Sequence, residues 1–243
     1  MNIKQLASAI FLSCLVIQTQ AQGFKRSVVR IETSEGNIKV ELSDDTPIHR
    51  DNFLQLASEG FYNGVLFHRV IRDFMIQAGD PTSKNAAPEV RLGSGDNGYT
   101  LPAEFNLPYL YHWRGALAAA REGDVTNPEM RSSGCQFYIV YGKKHRPASL
   151  DSIKGGLLEK GIEMTSQMEL DYISLGGTPH LDGTYTVFGE VVEGMDIVEK
   201  IQQTPTDPYN RPKKDVIIER MIVERRSKAS IRDQERRERR RRR

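Results

Sequence analysis

Hydrophobic and polar residues alternate with a period of two in several short runs of this chain, the spacing of half-buried strands. Ser27 to Thr33 and Asn37 to Leu42 alternate in this way around Ser34-Glu35-Gly36, which predicts an opening β-hairpin. Thr46-Pro47 predicts a helix start, with Thr46 as the cap and Pro47 in the first turn. Phe53, Leu56 and Ala57 line the apolar face of that helix, and Gly60 ends it. The run GVLFHRVIRDFMIQAGD, Gly64 to Asp80, reads as two strands about an Arg72-Asp73 turn. A Gly-, Pro- and Asn-rich excursion fills Asp80 to Asn106. Gly115 to Ala120, Phe137 to Tyr141, Thr184 to Val192 and Val216 to Val223 supply further strands, and a helix is predicted near Met195 to Gln202. Many short strands separated by turn residues, with two helices, predict a mainly β chain closed into a barrel.

One segment departs from this rhythm. Leu150, Ile153, Leu157 and Leu158 fall at i, i+3, i+7 and i+8, and Met168, Tyr172 and Leu175 resume helical spacing before Gly176-Gly177. Residues 148–175 are therefore expected to form a helical pair inserted between two strands. No internal repeat is evident.

The ends change the picture of a single domain. Lys4 is followed by an apolar run, Leu6 to Ile17, and then by Thr19-Gln20-Ala21, small residues of the kind a signal peptidase reads. Residues 1–21 are expected to be a secretory signal, too short for a membrane span. A buried N-terminal helix and a lipid anchor at Cys14 are the alternatives. With Cys14 removed, Cys135 stands alone and no intramolecular disulfide can form. At the other end, residues 225–243 carry eleven Lys/Arg against three Asp/Glu, a local +8, so residues 1–224 hold −6 of the overall +2. A mildly acidic domain over residues 27–224 thus precedes a basic, disordered tail, which could also bind anionic lipid or nucleic acid.

Several chemistries are excluded by spacing. Gly93-Ser94-Gly95-Asp96-Asn97-Gly98 spells G-x-G-x-x-G, but Pro102 follows where a nucleotide-binding helix would have to start, so it reads as a flexible glycine loop. The five histidines are scattered with no i, i+3 or i, i+4 pair, and no cysteine pair exists, so no metal site is expected. Nothing near Cys135 supplies a base, which leaves it as a small packed residue. Arg69 stands out. On a strand, Phe67, Arg69 and Ile71 share a face, which would pack the arginine stem and hold its fork rigidly; a rim ion pair is the plainer reading.

The stretch GFYNGVLFHRVIRDFMIQAGDP resembles the signature segment of the cyclophilin family, the cyclosporin-binding peptidyl-prolyl cis-trans isomerases. SSGCQFYIV, HLDGTYTVFGEVVEGMDIVEKI, YTLPAEF and RGALAAAR resemble further family segments in family order, from about Val28 to Val223. The resemblance implies an eight-stranded antiparallel barrel capped by two helices, in agreement with the pattern above. By matching position it implies Arg69 as the catalytic arginine and Gln77 as a holder of substrate backbone. It likewise implies Phe74, Met75 and Tyr138 around a proline pocket with Leu181 at its rim, and Ala120, Arg121 and Gln136 along a peptide groove. His68 would be structural.

This sequence departs from the family pattern at four of these places. His180 stands where the family carries a rim tryptophan, which implies weak cyclosporin binding at most. Tyr138 replaces a phenylalanine, Tyr185 the pocket histidine, and Arg121 a common asparagine, a change expected to favour acidic residues beside the substrate proline. The resemblance implies a prolyl isomerase, needing no cofactor, that acts as a monomer on proline-containing polypeptides. Together with the N-terminal run it points to exported proteins as clients, in the periplasm or outside the cell. A catalytically silent proline-peptide-binding or scaffold module is the rival reading.

Overall fold

The computed structural model describes residues 26–226, with side chains from Ser27 to Glu224. The signal expected over residues 1–21 and the basic tail beyond Arg226 lie outside the described residues. Ten strands and four helices follow one another in the order β1 (Arg26–Thr33), β2 (Gly36–Leu42), α1 (Pro47–Ser58), β3 (Arg69–Ile71), β4 (Met75–Ala78), β5 (Thr100–Leu101), β6 (Ala116–Ala119), β7 (Ser132–Ser133), β8 (Phe137–Val140), α2 (Pro147–Glu159), α3 (Ser166–Ser174), β9 (Val187–Glu193), α4 (Met195–Gln202) and β10 (Ile218–Arg226). Because β10 pairs with β1 as far as Arg226 opposite Arg26, the first two residues of the expected tail belong to a strand.

Eight strands form one antiparallel, curled sheet in the order β10-β1-β2-β9-β6-β8-β4-β3, and β5 and β7 pair separately. The two ends of the large sheet are tied at the entry to β3. Gly64 and Phe67 donate their N–H groups to the carbonyls of Ile218 and Val216 at 2.8 and 2.9 Å, and Ile218 donates to Val65 at 2.8 Å. These bonds satisfy backbone groups that an open edge would leave exposed.

The curl leaves two apolar layers, one on each face of the same strands. Inside, Ile31, Ile38, Val40, Phe137, Ile139 and Phe188 pack with Phe53 and Leu56 of α1 and with Val198 and Ile201 of α4. Phe53 meets Phe137 edge-on at 5.2 Å, a favourable aromatic geometry. Outside, Met75, Ala116, Ala118, Tyr138, Val140 and Val187 form a separate cluster. That explains why β8 reads FYIV without alternation: all four residues are buried, two to each side.

Local details correct four expectations. The Thr46 side chain makes no cap hydrogen bond to α1. Glu104, 55 residues away in sequence, caps the helix instead, accepting from the N–H groups of Ile48 and His49 at 3.1 and 2.9 Å. The C-terminus of α1 follows the pattern, because Gly60 takes the left-handed conformation (φ 71°) and Phe61 donates back to Leu56. Phe67 does not share a face with Arg69. The chain leaves regular strand geometry at residues 67–68, so Phe67 joins the inner core while Arg69 points outward with Ile71. Within the insertion, α2 and α3 pack Leu150, Met168 and Tyr172 into a small core of their own, whereas Leu158 and Leu175 are exposed. The glycine loop is pinned: Asp80 accepts from the N–H groups of Gly93 and Gly95 at 2.5 and 3.3 Å.

Candidate active site

Cross-strand register builds the site on the outer face of the sheet. Arg69 pairs with Gln77, Gln77 with Tyr138, and Tyr138 with Ala118, so one row of side chains crosses β3, β4, β8 and β6. Asp73, at φ 57°, closes the β3–β4 turn and lifts Phe74 beside Met75. Behind them, the short 3-10 helix Pro179–Leu181 brings in Leu181.

A cavity of about 790 Å³ opens over this row. Arg69, Phe74, Met75, Gln77, Ala120, Arg121, Tyr138, Leu181 and Tyr185, all singled out from the sequence, line it. Gln136 lines an adjoining cavity of about 780 Å³ that shares Gln77, Ala120 and Arg121 with the first. His180 lies outside both walls and stacks on Phe74, with ring centroids 5.9 Å apart and planes inclined by 23°.

Arg69 is half-buried, and among the described residues no carboxylate lies within 4 Å of it, so the rim ion pair is not what holds it. Its Nη1 donates to Gln77 Oε1 at 3.1 Å, Gln77 Nε2 donates to Gln136 Oε1 at 3.0 Å, and Gln136 Nε2 donates to the carbonyls of Gly93 and Gly95 at 3.0 and 2.7 Å. The sense of this relay is fixed at both ends, since a guanidinium only donates and a carbonyl only accepts. Gln77 therefore aims Arg69 rather than facing substrate with both ends. Burial lowers the Arg69 pKa from the ordinary guanidinium value, yet the group remains a cation.

Arg121 is turned inward. Its guanidinium donates to the carbonyls of Thr184 and Glu122, pairs with Asp124 at 2.7 Å and lies 4.5 Å over the Tyr185 ring. With its side chain only 4% exposed, the acidic preference expected of Arg121 has no open donor edge to rest on.

Beneath the slot runs a buried chain that the sequence reading missed. Asp182 Oδ1 accepts from the backbone N–H of His112 and lies 2.9 Å from its Nδ1, while Tyr172 donates to Asp182 Oδ2 at 2.6 Å. The Nδ1 proton faces Asp182, which leaves Nε2 to accept from the Tyr138 hydroxyl at 2.9 Å. Tyr138, His112 and Asp182 are at most 4% exposed, and burial pushes the phenols of Tyr138 and Tyr172 well above their ordinary pKa. The extra hydroxyl of Tyr138 is thereby satisfied away from the slot. Asp182 did sit in the Leu-Asp-Gly motif, but an isolated His112 and a helical Tyr172 gave no signal of a shared partner. His68 also borders the cavity, and burial lowers its pKa to about 4.

The arrangement is an outward-facing apolar slot beside a cation that has no carboxylate partner among the described residues. Residues 28–223 match the family model described as cyclophilin type peptidyl-prolyl cis-trans isomerase/CLD. The chain belongs to that family. A Staphylococcus haemolyticus protein named for peptidyl-prolyl cis-trans isomerase activity is 36% identical over 198 residues, covering 81% of this chain and 90% of that one. A Streptococcus pyogenes protein named for bifunctional phosphatase/peptidyl-prolyl cis-trans isomerase activity is 37% identical, and a peptidyl-prolyl cis-trans isomerase-like protein of Rhizopus delemar is 34% identical. The chain spans only 38% and 29% of those two longer relatives. Among solved structures, a Cryptosporidium parvum cyclophilin type peptidyl-prolyl cis-trans isomerase superposes with a TM-score of 0.60 at 25% identity, covering 83% of this chain and 98% of that one.

Proposed function

We propose that this chain accelerates rotation about Xaa-Pro bonds of polypeptides, with the Arg69 guanidinium as the group that recognises the half-rotated bond. The observation that carries this reading is Arg69 itself: a fixed cation with no carboxylate partner among the described residues, beside the apolar wall of Phe74, Met75, Tyr138 and Leu181. The related Cryptosporidium structure obtained in the presence of the dipeptide Ala-Pro supports a proline peptide as the ligand.

The imide bond turns over a barrier of roughly 18–20 kcal/mol because the nitrogen lone pair is conjugated with the carbonyl. Twisting the bond localises that lone pair and makes the nitrogen a better acceptor than in either planar form. A donor aimed at the nitrogen therefore binds the twisted form preferentially, which lowers the barrier. The slot holds the ring still while the flanking chain swings, and it excludes water that would weaken the hydrogen bond. Turnover near roughly 10³ per second requires about 5–7 kcal/mol off the barrier. A charged donor, desolvation and a held backbone are together of that size. No bond is made or broken, and nothing is consumed.

Arg69→Ala in a protease-coupled proline-peptide assay tests the reading. Loss of one such donor is expected to lower kcat/KM by about 10²–10³-fold. Equal rates for wild type and variant would leave the silent binding module as the better account.

Action on exported clients rests on the apolar N-terminal run and is tested by the mass of the mature N-terminus. A monomeric state is proposed on the family resemblance, and weak cyclosporin affinity because His180 stands where the family carries an indole N–H donor. Attraction of the basic tail to anionic lipid or nucleic acid is tested by truncation after Arg226, the last residue of β10, with retention on heparin and on anionic vesicles as the readout.

A further inference from the structure

We propose that Arg91, held over the Tyr209 ring, is the charge-reading wall of the proline cavity and selects prolines flanked by an acidic side chain. The inference rests on reading the cavity as the isomerase site and adds the class of substrate it takes.

The cavity is larger than a prolyl ring needs. Besides the slot residues it is lined by Arg91, Leu92, Tyr209 and Asn210, which come from two loops that no sequence motif marked. This wall is built, not incidental. Arg211, only 5% exposed, donates Nη1 to the carbonyls of Ala87, Pro88 and Val90 at 2.7, 3.3 and 3.3 Å, and Nη2 to Ala86 at 3.0 Å. The same guanidinium forms a forked pair with Asp215 at 2.9 and 2.8 Å. One buried arginine thus fastens the irregular segment leading into Arg91 onto the loop that carries Tyr209. Asp207 shapes that second loop by accepting from the N–H groups of Tyr209 and Arg211 at 2.8 and 2.9 Å. Val70 N–H, next to Arg69, donates to Asn210 at 2.8 Å, so the wall stands in fixed relation to the catalytic strand.

Three arginines line the cavity, and their hydrogen bonds give them different roles. Arg121 is committed to Asp124 and two carbonyls. Arg69 is reserved for the imide nitrogen. Arg91 is exposed, lies 5.2 Å over the Tyr209 ring, and has no carboxylate within 4 Å among the described residues. The ring contact takes up none of the guanidinium N–H groups, which are the donors that take a carboxylate in a two-pronged bond. A free guanidinium donor edge on the wall of that cavity, able to donate to a carboxylate, selects Asp or Glu next to the substrate proline.

The test uses matched proline peptides that differ only by Glu or Gln at the residue before or after proline. Both kcat/KM and equilibrium binding, by fluorescence anisotropy, are measured at low and at 0.5 M salt. Wild type is expected to prefer the Glu peptide in at least one position by about two- to five-fold, the range of an exposed ion pair, and to lose the preference at high salt. Arg91→Gln is expected to bring the Glu and Gln peptides together, and Arg91→Glu to favour a Lys peptide over the Gln peptide. Equal handling of Glu and Gln by wild type, or a preference that survives Arg91→Gln, overturns the proposal. Absence of turnover on every peptide would instead sink the isomerase reading, and the binding ratios would still decide the role of Arg91.

Discussion

The Tyr172 hydroxyl donates to Asp182 Oδ2 at 2.6 Å and so joins the second helix of the insertion to the layer beneath the Arg69 cavity. Through Asp182 and His112 the link reaches the Tyr138 hydroxyl. Tyr172→Phe strips one donor from a buried carboxyl and is expected to cost about 1–3 kcal/mol, a fall of several degrees in Tm. If the chain positions Tyr138, the loss of kcat/KM in Tyr172→Phe shrinks when Tyr138→Phe is already present. Independent effects of the two substitutions on kcat/KM would mean that the insertion only stabilises the fold.

Gln77 bridges Arg69 and Gln136, so its removal frees the guanidinium without deleting it. Gln77→Ala is expected to lower kcat by about ten-fold, a fraction of the loss in Arg69→Ala, because orientation rather than charge is lost. Steady-state kinetics of the two variants and their double mutant check this. A Gln77→Ala loss as large as that of Arg69→Ala would assign Gln77 a direct contact with the reacting bond.

Glu104 caps α1 from outside the helix and lies 2.7 Å from His49 Nδ1. Glu104→Ala should destabilise the domain by about 1–2 kcal/mol in urea unfolding, whereas Thr46→Val, which removes no cap bond, should cost less. The reverse order would restore Thr46 as the cap.

Burial lowers the His68 pKa from 6.5 to about 4. A histidine whose folded pKa is depressed binds its proton more readily when unfolded, so stability is full above about pH 6.5 and is lost as pH falls from 6.5 towards 4. The full shift corresponds to something on the order of 3 kcal/mol. Replacing His68 by Gln should flatten the stability profile in that window. An unchanged slope between pH 6.5 and 4 would assign the acid sensitivity to other groups, His49 first among them, since burial lowers its pKa too.

Much of the fold was legible because burial on one face imposes a period that a linear chain displays. The β1–β2 hairpin, α4 from Met195 to Gln202, and the helical pair, expected over residues 148–175 and found as Pro147–Glu159 and Ser166–Ser174, all follow from spacing. The slot residues were legible through resemblance, and they do converge on one cavity. Phe67 escaped because a local break in strand geometry reverses the side of a side chain, and period alone cannot show a break. Leu158 and Leu175 escaped because helical spacing marks which residues could share a face without saying whether a neighbour covers it.

The order of elements, the apolar positions and the presence of Arg69 beside a hydrophobic run are properties of the sequence alone, since each depends on residues near one another along the chain. Which polar groups stay available was decided only in three dimensions. Arg121 and Arg91 look alike in sequence, yet Asp124, Thr184 and Tyr185 occupy the first while Tyr209 presents the second. Thr46 gave way to Glu104, and Tyr138 acquired His112, Asp182 and Tyr172. The reason is physical: a buried hydrogen-bonding group must find a partner wherever the fold brings one within about 3 Å, and separation along the chain does not enter that requirement.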